Sequence, residues 1–362
     1  MNKRKMLLIA GVIFVIVTVL IILFGGRNNT GASIKVGFIM SGKTTDAGWN
    51  GMHYNGIKKA CDNLNAELIV KEEVEEYSGM CAQAIEELHE ESVKVIILSS
   101  YNYSEEVKDL VREYPEISFY CNSSEYHDNN MTSYFVRYYQ GRYLAGVLAG
   151  TMTKNGKIGY VAAMDNLEVK RGINAFTLGV QSVNKDAEIV VAWSGKWEDE
   201  TTEKSLVREL VEKEKVDILS YHQNKPYVIE EADAMGVYTI GYHEVFDGFS
   251  DKYLGSVVCD WQVVYQEIIK ECLQGRSNMA NNFWIGMEKD VVMLSGYSDA
   301  VSEDAKETVK EARESIIAGK EVFSGKIFDN EGNIRCKDDE MLSDDVLLEQ
   351  MDWFVKGVRM YE

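Results

Sequence analysis

The sequence predicts an α/β protein with two doubly wound parallel-sheet lobes joined by a hinge and preceded by an N-terminal membrane helix. From Ile34 onward, short runs of β type alternate with longer stretches of helical periodicity, a pattern typical of parallel sheets with right-handed crossovers. The pattern begins with KVGFIMSG and restarts with KIGYVAAMDN at Lys157. This repeat, in a chain of 362 residues, predicts two domains of ordinary size.

Residues 1–33 predict a membrane anchor and a tether. A basic start at 2–5 precedes 19 almost entirely aliphatic residues at 6–24. As a helix this stretch is about 28 Å long, close to the apolar thickness of a bilayer. Positive charge before the span keeps that end in the cytoplasm, so we expect the body outside the cell on an uncleaved single-pass anchor. A cleaved signal peptide is the alternative, although neither an A-x-A-like site nor a cysteine for lipid attachment follows the run.

In the first part of the body, strands are predicted where β-branched and aromatic residues form short runs. Helices are predicted where apolar residues recur every three or four positions. The predicted strands are 35–40, 67–70, 93–99 and 117–121, and the predicted helices are 47–64, 79–91, 104–114 and 138–153.

The same alternation continues in the second part. It predicts strands at 157–162, 189–193, 217–221, 238–242 and 254–259, and helices at 168–184, 201–214 and 227–235. Helices at 261–273, 303–318 and 343–358 finish the chain, and some of them must pass back between the lobes. We therefore expect a first lobe of 34–152 plus roughly 260–285, and a second lobe of 153–259 plus roughly 286–362.

The charge balance excludes some classes of partner. The chain carries 58 acidic residues against 38 lysines and arginines, a net charge of −20 with a pI near 4.8. Nucleic acids select basic surfaces, so we expect no nucleic-acid partner and no docking on anionic lipid by charge. The six cysteines form no C-x-x-C pair, which speaks against a zinc site. We expect mostly free, buried thiols, although the sequence leaves a disulfide open.

Ligands of doubly wound sheets bind at the carboxyl ends of the strands. The residues that follow the predicted strands are rich in aromatic, amide and carboxylate side chains and poor in nucleophile–base pairs. Phosphate-binding glycine motifs and a nucleophile elbow are absent from the sequence. We therefore expect a binding protein without catalytic residues, cofactor or metal. The candidate ligand-binding residues are Asp46, Trp49, Asn50, Trp197, Asp199, His222, Tyr242, His243, Asp260 and Trp261.

Two of these candidates, Trp49 and Trp197, predict a specific way of binding. One indole from each lobe would sandwich a planar ligand when the cleft closes. Asn50 offers a donor and an acceptor to the edge of a heterocycle. Structural alternatives stay open: Asp46 and Trp261 at helix caps, either indole as a packing or surface residue, and the histidines as hydrogen-bonded structural residues.

Seven segments carry a resemblance to a known family. They are DAGWN at 46–50, YYQGRYLAGVLAG at 138–150, GKIGYVAAMD at 156–165, RGINAFTLGVQSVN at 171–184, GKWED at 195–199, GVYTIGYH at 236–243 and MDWFVKGV at 351–358. Through them the chain resembles the basic membrane protein family of extracellular solute-binding proteins, which includes the purine nucleoside receptor lipoproteins. The resemblance spans roughly residues 34–361. It implies a type I periplasmic-binding-protein fold that closes on its ligand at a hinge.

The resemblance also implies a ligand class. Asp46 and Asn50 match residues that hold the purine edge, and Trp49 and Trp197 match residues that stack on its faces. Family members that bind nucleosides carry an aspartate where this chain has His243, and the likeness is closer to a subgroup associated with free purine bases. We therefore expect capture of a purine base or nucleoside-like flat heterocycle for an ABC importer permease. The alternative is a receptor that senses its ligand and signals to a membrane protein.

Overall fold

The computed structural model describes residues 34–46, 48–124, 126–246, 248–278 and 282–362. The predicted membrane span at 6–24, and the tether that follows it, lie outside the described residues. Within the described ranges, no helix has both the length and the apolar character that crossing a bilayer requires.

The first part of the body alternates strands and helices, as its hydrophobic pattern predicts. Strands β1, β3 and β4 are almost wholly buried, which explains why they read as continuous apolar runs and not as alternating ones. The elements are β1 (Lys35–Ile39), α1 (Trp49–Leu64), β2 (Glu67–Lys71), α2 (Met80–Glu90), β3 (Val95–Leu98), α3 (Tyr103–Val107), β4 (Ser118–Asn122) and β5 (Met131–Val136).

The second part repeats the alternation. Its helices start at side-chain caps in two places: Asn166 accepts from the Val169 amide, and Asp199 accepts from the Thr202 amide. The elements are α4 (Tyr138–Met152), β6 (Lys157–Ala162), α5 (Leu167–Val183), β7 (Glu188–Trp193), α6 (Glu200–Glu209), β8 (Ile218–His222), α7 (Tyr227–Ala234), β9 (Tyr238–His243) and β10 (Tyr253–Cys259).

The C-terminal part departs from prediction at its end. Its elements are α8 (Trp261–Leu273), β11 (Asn282–Ile285), β12 (Val292–Ser295), α9 (Glu303–Ile317), β13 (Ile327–Phe328), β14 (Ile334–Cys336), α10 (Asp344–Glu349) and β15 (Val358–Met360). The helix predicted at 343–358 is wrong beyond Glu349. The buried amide of Asn174 accepts from the Val355 amide and donates to the Trp353 carbonyl, both at 2.8 Å, so these backbone groups bond to α5 instead of forming another helical turn.

The strands form two large sheets, which confirms the predicted α/β class. The first sheet has the order β11-β5-β4-β3-β1-β2, and the second has the order β12-β10-β9-β8-β6-β7-β15. Neighbouring strands in both are parallel, apart from the edge strand β12, which runs antiparallel to β10. The candidate site residues lie at the carboxyl ends of β1 in the first sheet and of β7, β8, β9 and β10 in the second.

Three segments connect the two sheets, after β5, after β10 and after β11. They lie side by side: the Arg137 amide donates to the Ile285 carbonyl, and the Asp260 amide donates to the Val291 carbonyl, each at 2.8 Å. Helix α8 packs on α1, so it returns to the first sheet, as expected for a helix that passes back.

Helix α4 packs on α5 of the second sheet, whereas the expected first lobe ran to 152. The two helices approach so closely that a Cβ at Gly146 would lie 2.0 Å from the Phe176 carbonyl oxygen. A side chain larger than hydrogen does not fit at that contact.

Candidate functional site

The loop after β1 enters helix α1 through a glycine. Gly48 has a φ of 78°, a left-handed conformation that glycine adopts without strain, and Trp49 is the first helical residue. Asp46 is exposed, and its Oδ2 accepts from the Lys43 amide at 2.8 Å. This carboxylate therefore closes the loop, and the alternative that Asp46 caps the helix is wrong.

The Trp49 indole is half-buried at the edge of the first sheet. Its Nε1 donates to the Ser99 carbonyl, at the end of β3, at 3.1 Å. Its ring lies 4.1 Å from the His53 ring and 5.8 Å from the Trp261 ring, measured between centroids. The hydrogen bond and the two ring contacts hold the indole in one place at the carboxyl ends of β1 and β3.

Trp261 and its neighbour Asp260 have structural roles on the same side. Asp260 Oδ1 accepts from the Gln262 amide at 3.0 Å and caps helix α8. Trp261 is 2% exposed and packs its ring 3.8 Å from that of His53. The indole Nε1 of Trp261 nevertheless has no hydrogen-bond partner among the described residues.

The second sheet presents a cluster of rings at the ends of β8 and β9. The Tyr242 ring lies 4.7 Å from that of His222 and 3.6 Å from that of His243. His243 has a φ of 70°, an uncommon conformation for a residue with a side chain, and such strain concentrates at functional sites. All three side chains are more than nine-tenths buried.

Trp197 and Asp199 lie in the loop after β7. Trp197 is 38% exposed, and its ring lies 5.8 Å from the ring of His222. Asp199 accepts from the Thr202 amide at 3.1 Å and pairs with Lys196 at 2.9 Å, and these two bonds lower the pKa of its carboxyl. The structure thus places Asp199 at a helix cap and Trp197 at the rim of the second edge.

The two sheet edges touch each other. The Gly48 amide donates to Glu244 Oε1, just after β9, at 3.0 Å. A Cβ at Gly48 would lie 3.3 Å from the Asn224 carbonyl oxygen, which follows β8. The Trp49 ring lies 6.1 Å from that of His243. Residues after strands of both sheets therefore form one continuous region.

Trp49 and Trp197 are not in ring contact in the described structure. A series of rings links them: Trp49 contacts His243, His243 contacts Tyr242, Tyr242 contacts His222, and His222 contacts Trp197. Trp49 therefore lies against imidazoles, and Trp197 lies at the far end of the series. The sandwich of a ligand between these two indoles stays a prediction.

Of the buried polar atoms that have no hydrogen-bond partner among the described residues, six belong to Asn50, Ser99 and the histidine and tryptophan side chains at the two sheet edges. Leaving such an atom unpaired costs about 1–3 kcal/mol, so several in one place point to a bound molecule that pairs with them. They are Asn50 Oδ1, His53 Nε2, Ser99 Oγ, His222 Nδ1, His243 Nδ1 and Trp261 Nε1.

The three histidines of this group are held neutral. Burial lowers the pKa of His53 and His222 well below the usual value, and it lowers the pKa of His243 to about 3. The positive charge of Arg142 adds to the effect on His222 and His243. A neutral imidazole offers one N–H donor and one acceptor nitrogen, which is the pattern that the edge of a nitrogen heterocycle also presents.

Comparison with known proteins assigns this chain to a family. Residues 33–325 match the family model Bmp, described as ABC transporter substrate-binding protein PnrA-like. This chain belongs to that family of ABC transporter substrate-binding proteins. The resemblance seen in the sequence motifs is thereby confirmed, and the family relates the two-sheet architecture to solute binding.

Individual relatives span most of the chain. A purine-binding protein from Brucella abortus is 30% identical over 95% of this chain and 98% of its own length. TsgA13 from Haloferax volcanii, whose name proposes glucose binding for an ABC transporter, is 30% identical over 92% of this chain and 82% of its own. The crystal structure of a transcriptional activator of the comK gene from Bacillus halodurans has a TM-score of 0.70 at 23% identity, covering 79% of this chain and 98% of that one. The last likeness shows a shared fold.

Residues outside the set of candidates also belong to the site. Ser99 and His53 contribute unpaired polar atoms, and Tyr138 places its ring 5.3 Å from that of Tyr242. Arg142 is 1% exposed, with its guanidinium 3.7 Å from the Tyr242 ring centroid. The sequence carries one signal for Arg142: YYQGRYLAGVLAG is apolar on most of its faces, and a helix of that kind is buried together with the few polar side chains that it carries.

The described residues form neither a cluster of metal ligands nor a disulfide. No group of three or more histidine, cysteine or acidic side chains among them is arranged to hold a metal ion. The six cysteines are free thiols, four of them buried and two half-buried, as the sequence favours.

Proposed function

We propose that this chain captures a purine base, or a planar nitrogen heterocycle of similar shape, between its two sheet edges. The observation that carries the proposal is the group of six buried, unpaired polar atoms set among aromatic rings. Rings can stack on the faces of a flat ligand, while the imidazoles, Asn50 and Ser99 pair with its edge. The purine-binding protein of Brucella abortus, related over nearly the whole chain, supports the ligand class.

Binding and closure are coupled in this proposal. The ligand contacts residues of both sheets, so it stabilises the arrangement in which the edges meet, while the three connecting segments absorb the motion as a hinge. The bond from the Gly48 amide to Glu244 forms only when the edges are together. A closed, ligand-bound form is what an ABC permease would recognise.

A thermal-shift screen of the full chain in mild detergent tests the ligand class. A compound that binds only the folded protein raises the melting temperature. Adenine, hypoxanthine, their nucleosides and glucose form the panel, since the name of the Haloferax relative proposes glucose. We expect a free purine base to give the largest shift. A shift with glucose and none with any purine would contradict the proposal.

We further propose that the body faces the outside of the cell on the predicted span at residues 6–24. The basic residues before this stretch and the solute-binding family both support that orientation. Intact mass measurement of the membrane-extracted protein tests it. A mass of the full chain supports the anchor, and a mass lacking the first 25 to 33 residues would show cleavage.

A receptor that senses the ligand without transporting it is the second candidate, favoured by the predicted protein anchor in place of a lipid. Deleting the gene for this chain while keeping the permease separates the two, because uptake of labelled purine is then lost only if this chain serves transport. We also propose that the chain does not catalyse a reaction on its ligand. Incubating it with nucleosides should release no free base.

A further inference from the structure

A cavity adjoins the second sheet edge, between the first turns of α4 and α5 and the end of β8. It is lined by Tyr138, Tyr139, Arg142, Glu168, Arg171, Gly172 and His222, and its accessible volume of about 10 Å³ holds a group the size of one water molecule or one ligand oxygen. The rings of Tyr138 and His222 both contact Tyr242. The cavity is therefore continuous with the proposed ligand site.

Two buried guanidiniums line this cavity. Arg142 is 1% exposed and Arg171 is 5% exposed. Each donates one bond to a carbonyl, from Arg142 Nη1 to Tyr221 at 2.8 Å and from Arg171 Nη1 to Leu347 at 2.7 Å. The Nε and Nη2 of Arg142 are buried and have no hydrogen-bond partner among the described residues. These two nitrogens lie on one edge of the guanidinium, the geometry that grips an oxyanion.

The charges of the lining residues do not balance. None of the ion pairs between described residues includes Arg142 or Arg171, and the carboxylate in the lining, Glu168, lies 3.9 Å from His222 Nε2. Two guanidiniums against one carboxylate leave one positive charge over. Arg142 also lies over the Tyr242 ring, 3.7 Å from its centroid, but a ring does not neutralise the charge, so an anion in the cavity would gain a charge-assisted contact.

Gly172 keeps the cavity open. Other glycines of α4 and α5 are needed for packing: a Cβ at Gly146 would meet backbone at 2.0 Å, and one at Gly179 would do so at 2.1 Å. A Cβ at Gly172 would make only ordinary contacts, 3.7 Å from His222 Nδ1 and 3.9 Å from Arg142 Nε. Helix packing therefore does not require this glycine, and the space that it leaves lies beside Arg142 Nε and His222 Nδ1, both without a hydrogen-bond partner among the described residues.

We propose that this cavity is an anion subsite of the ligand cleft, and that the ligand is an acidic oxopurine whose negatively charged oxygen accepts from Arg142. The proposal rests on the proposed function and narrows it to heterocycles that carry a negative charge at neutral pH. A free small anion such as acetate has the same oxyanion chemistry and is the other source that the test distinguishes.

Calorimetric titration of the full chain in mild detergent at neutral pH tests the subsite. Urate is the anionic probe, and hypoxanthine is the neutral oxopurine. A charge-assisted pair of hydrogen bonds should make urate bind about tenfold tighter or more. Replacing Gly172→Ala should remove that advantage while changing hypoxanthine affinity less than about twofold, and the melting temperature of the free protein should stay level or rise, since alanine favours a helix. Val183→Ala, exposed on the same helix, is the matched control and should leave both affinities unchanged.

Three results would overturn the subsite. Equal binding of urate and hypoxanthine by the native chain would leave the purine site intact but deny it a preference for charge. An equal loss of affinity for urate and hypoxanthine in Gly172→Ala would mean that the cavity also binds the neutral oxopurine. A thermal shift with acetate that Gly172→Ala removes, together with equal binding of the two oxopurines, would assign the cavity to a free anion. Failure of every purine to bind would contradict the proposed function instead.

Arg142→Lys retains the charge and loses the paired donors, so it should weaken urate binding without abolishing it.

Discussion

The two sheet edges that meet in the cleft differ in how they are built. The first edge is a neutral aromatic stack, in which the ring of His53 lies 4.1 Å from that of Trp49 and 3.8 Å from that of Trp261. The second edge places neutral imidazoles beside buried guanidiniums, with Arg142 3.7 Å from the Tyr242 ring. The difference suggests a division of labour, in which the first edge holds the faces of a flat ligand and the second edge reads its hydrogen-bonding groups and charge.

The largest expected effect is the loss of purine affinity when the stacking surface of the first edge is removed. Trp49→Ala removes the stacking surface and should weaken purine binding by about 1–3 kcal/mol, roughly five- to 150-fold. Trp197→Ala, at the exposed rim of the second edge, is the matched variant and should cost less. Titration calorimetry compares them. If Trp197→Ala proved the more damaging, stacking would belong to the second edge.

Acid should destabilise the folded chain through the buried imidazoles of both edges. Their pKa values are lowered by burial, to about 3 for His243, while in the unfolded chain histidine titrates near its ordinary value of about 6.5. Below about pH 6.5 the unfolded chain therefore binds protons that the folded chain does not. The free energy of unfolding is therefore highest above about pH 6.5. It decreases at lower pH, by about 1.4 kcal/mol per pH unit for each such histidine. Urea unfolding at several pH values measures the slope.

A variant sharpens the same measurement. His243→Gln removes one of these buried bases and should flatten the pH slope, whereas His127→Gln, on an exposed side chain, should retain the native slope. An unchanged slope in His243→Gln would show that this imidazole is already protonated, or free to become so, in the folded protein.

Substitutions of Asp199 test whether this residue caps helix α6 or contacts the ligand. Because its carboxylate caps helix α6, Asp199→Ala should cost about 1 kcal/mol of unfolding free energy and leave purine affinity unchanged. Asp199→Asn retains a capping oxygen and should recover most of that loss. A strong drop in affinity with little loss of stability would make Asp199 a ligand contact after all.

The smallest effect concerns the bond that joins the edges. Glu244→Gln retains an acceptor for the Gly48 amide but loses the charge, so closure should weaken by about 0.5–1 kcal/mol. Purine affinity should fall two- to fivefold, because ligand and bond stabilise the same closed form. The melting temperature of the free protein should barely change. A fall in melting temperature with unchanged affinity would assign this bond to stability alone.

The central strands of both sheets could be predicted from the sequence because they are buried on both faces. Strands β11, β12 and β15 could not, because they gain their partners only when distant segments meet: β11 pairs with β5, and β15 pairs with β7. Strand β5 is wholly buried, but Thr132 and Ser133 interrupt its apolar run, so it was not predicted. The helix predicted at 343–358 ends at Glu349, and β15 follows only at Val358–Met360.

The missed strand also explains what was missed in the site. Strand-end reasoning located Trp49, His222 and His243 correctly at the edges that meet, but it did not examine the residues after β5. Tyr138 and Arg142 lie there. Asp199 was selected because an aspartate before a helix gives the same signal whether it caps the helix or binds a ligand. Only the hydrogen-bond geometry separates the two roles.

The most direct test is a crystal structure of the chain with a bound purine base. We predict the heterocycle between the two edges, with its ring in van der Waals contact with Trp49, about 3.5–4 Å away, and its edge hydrogen-bonded to at least two of the six unpaired polar atoms. A purine bound elsewhere, with Asn50, His222 and His243 still unpaired, would contradict this account of recognition.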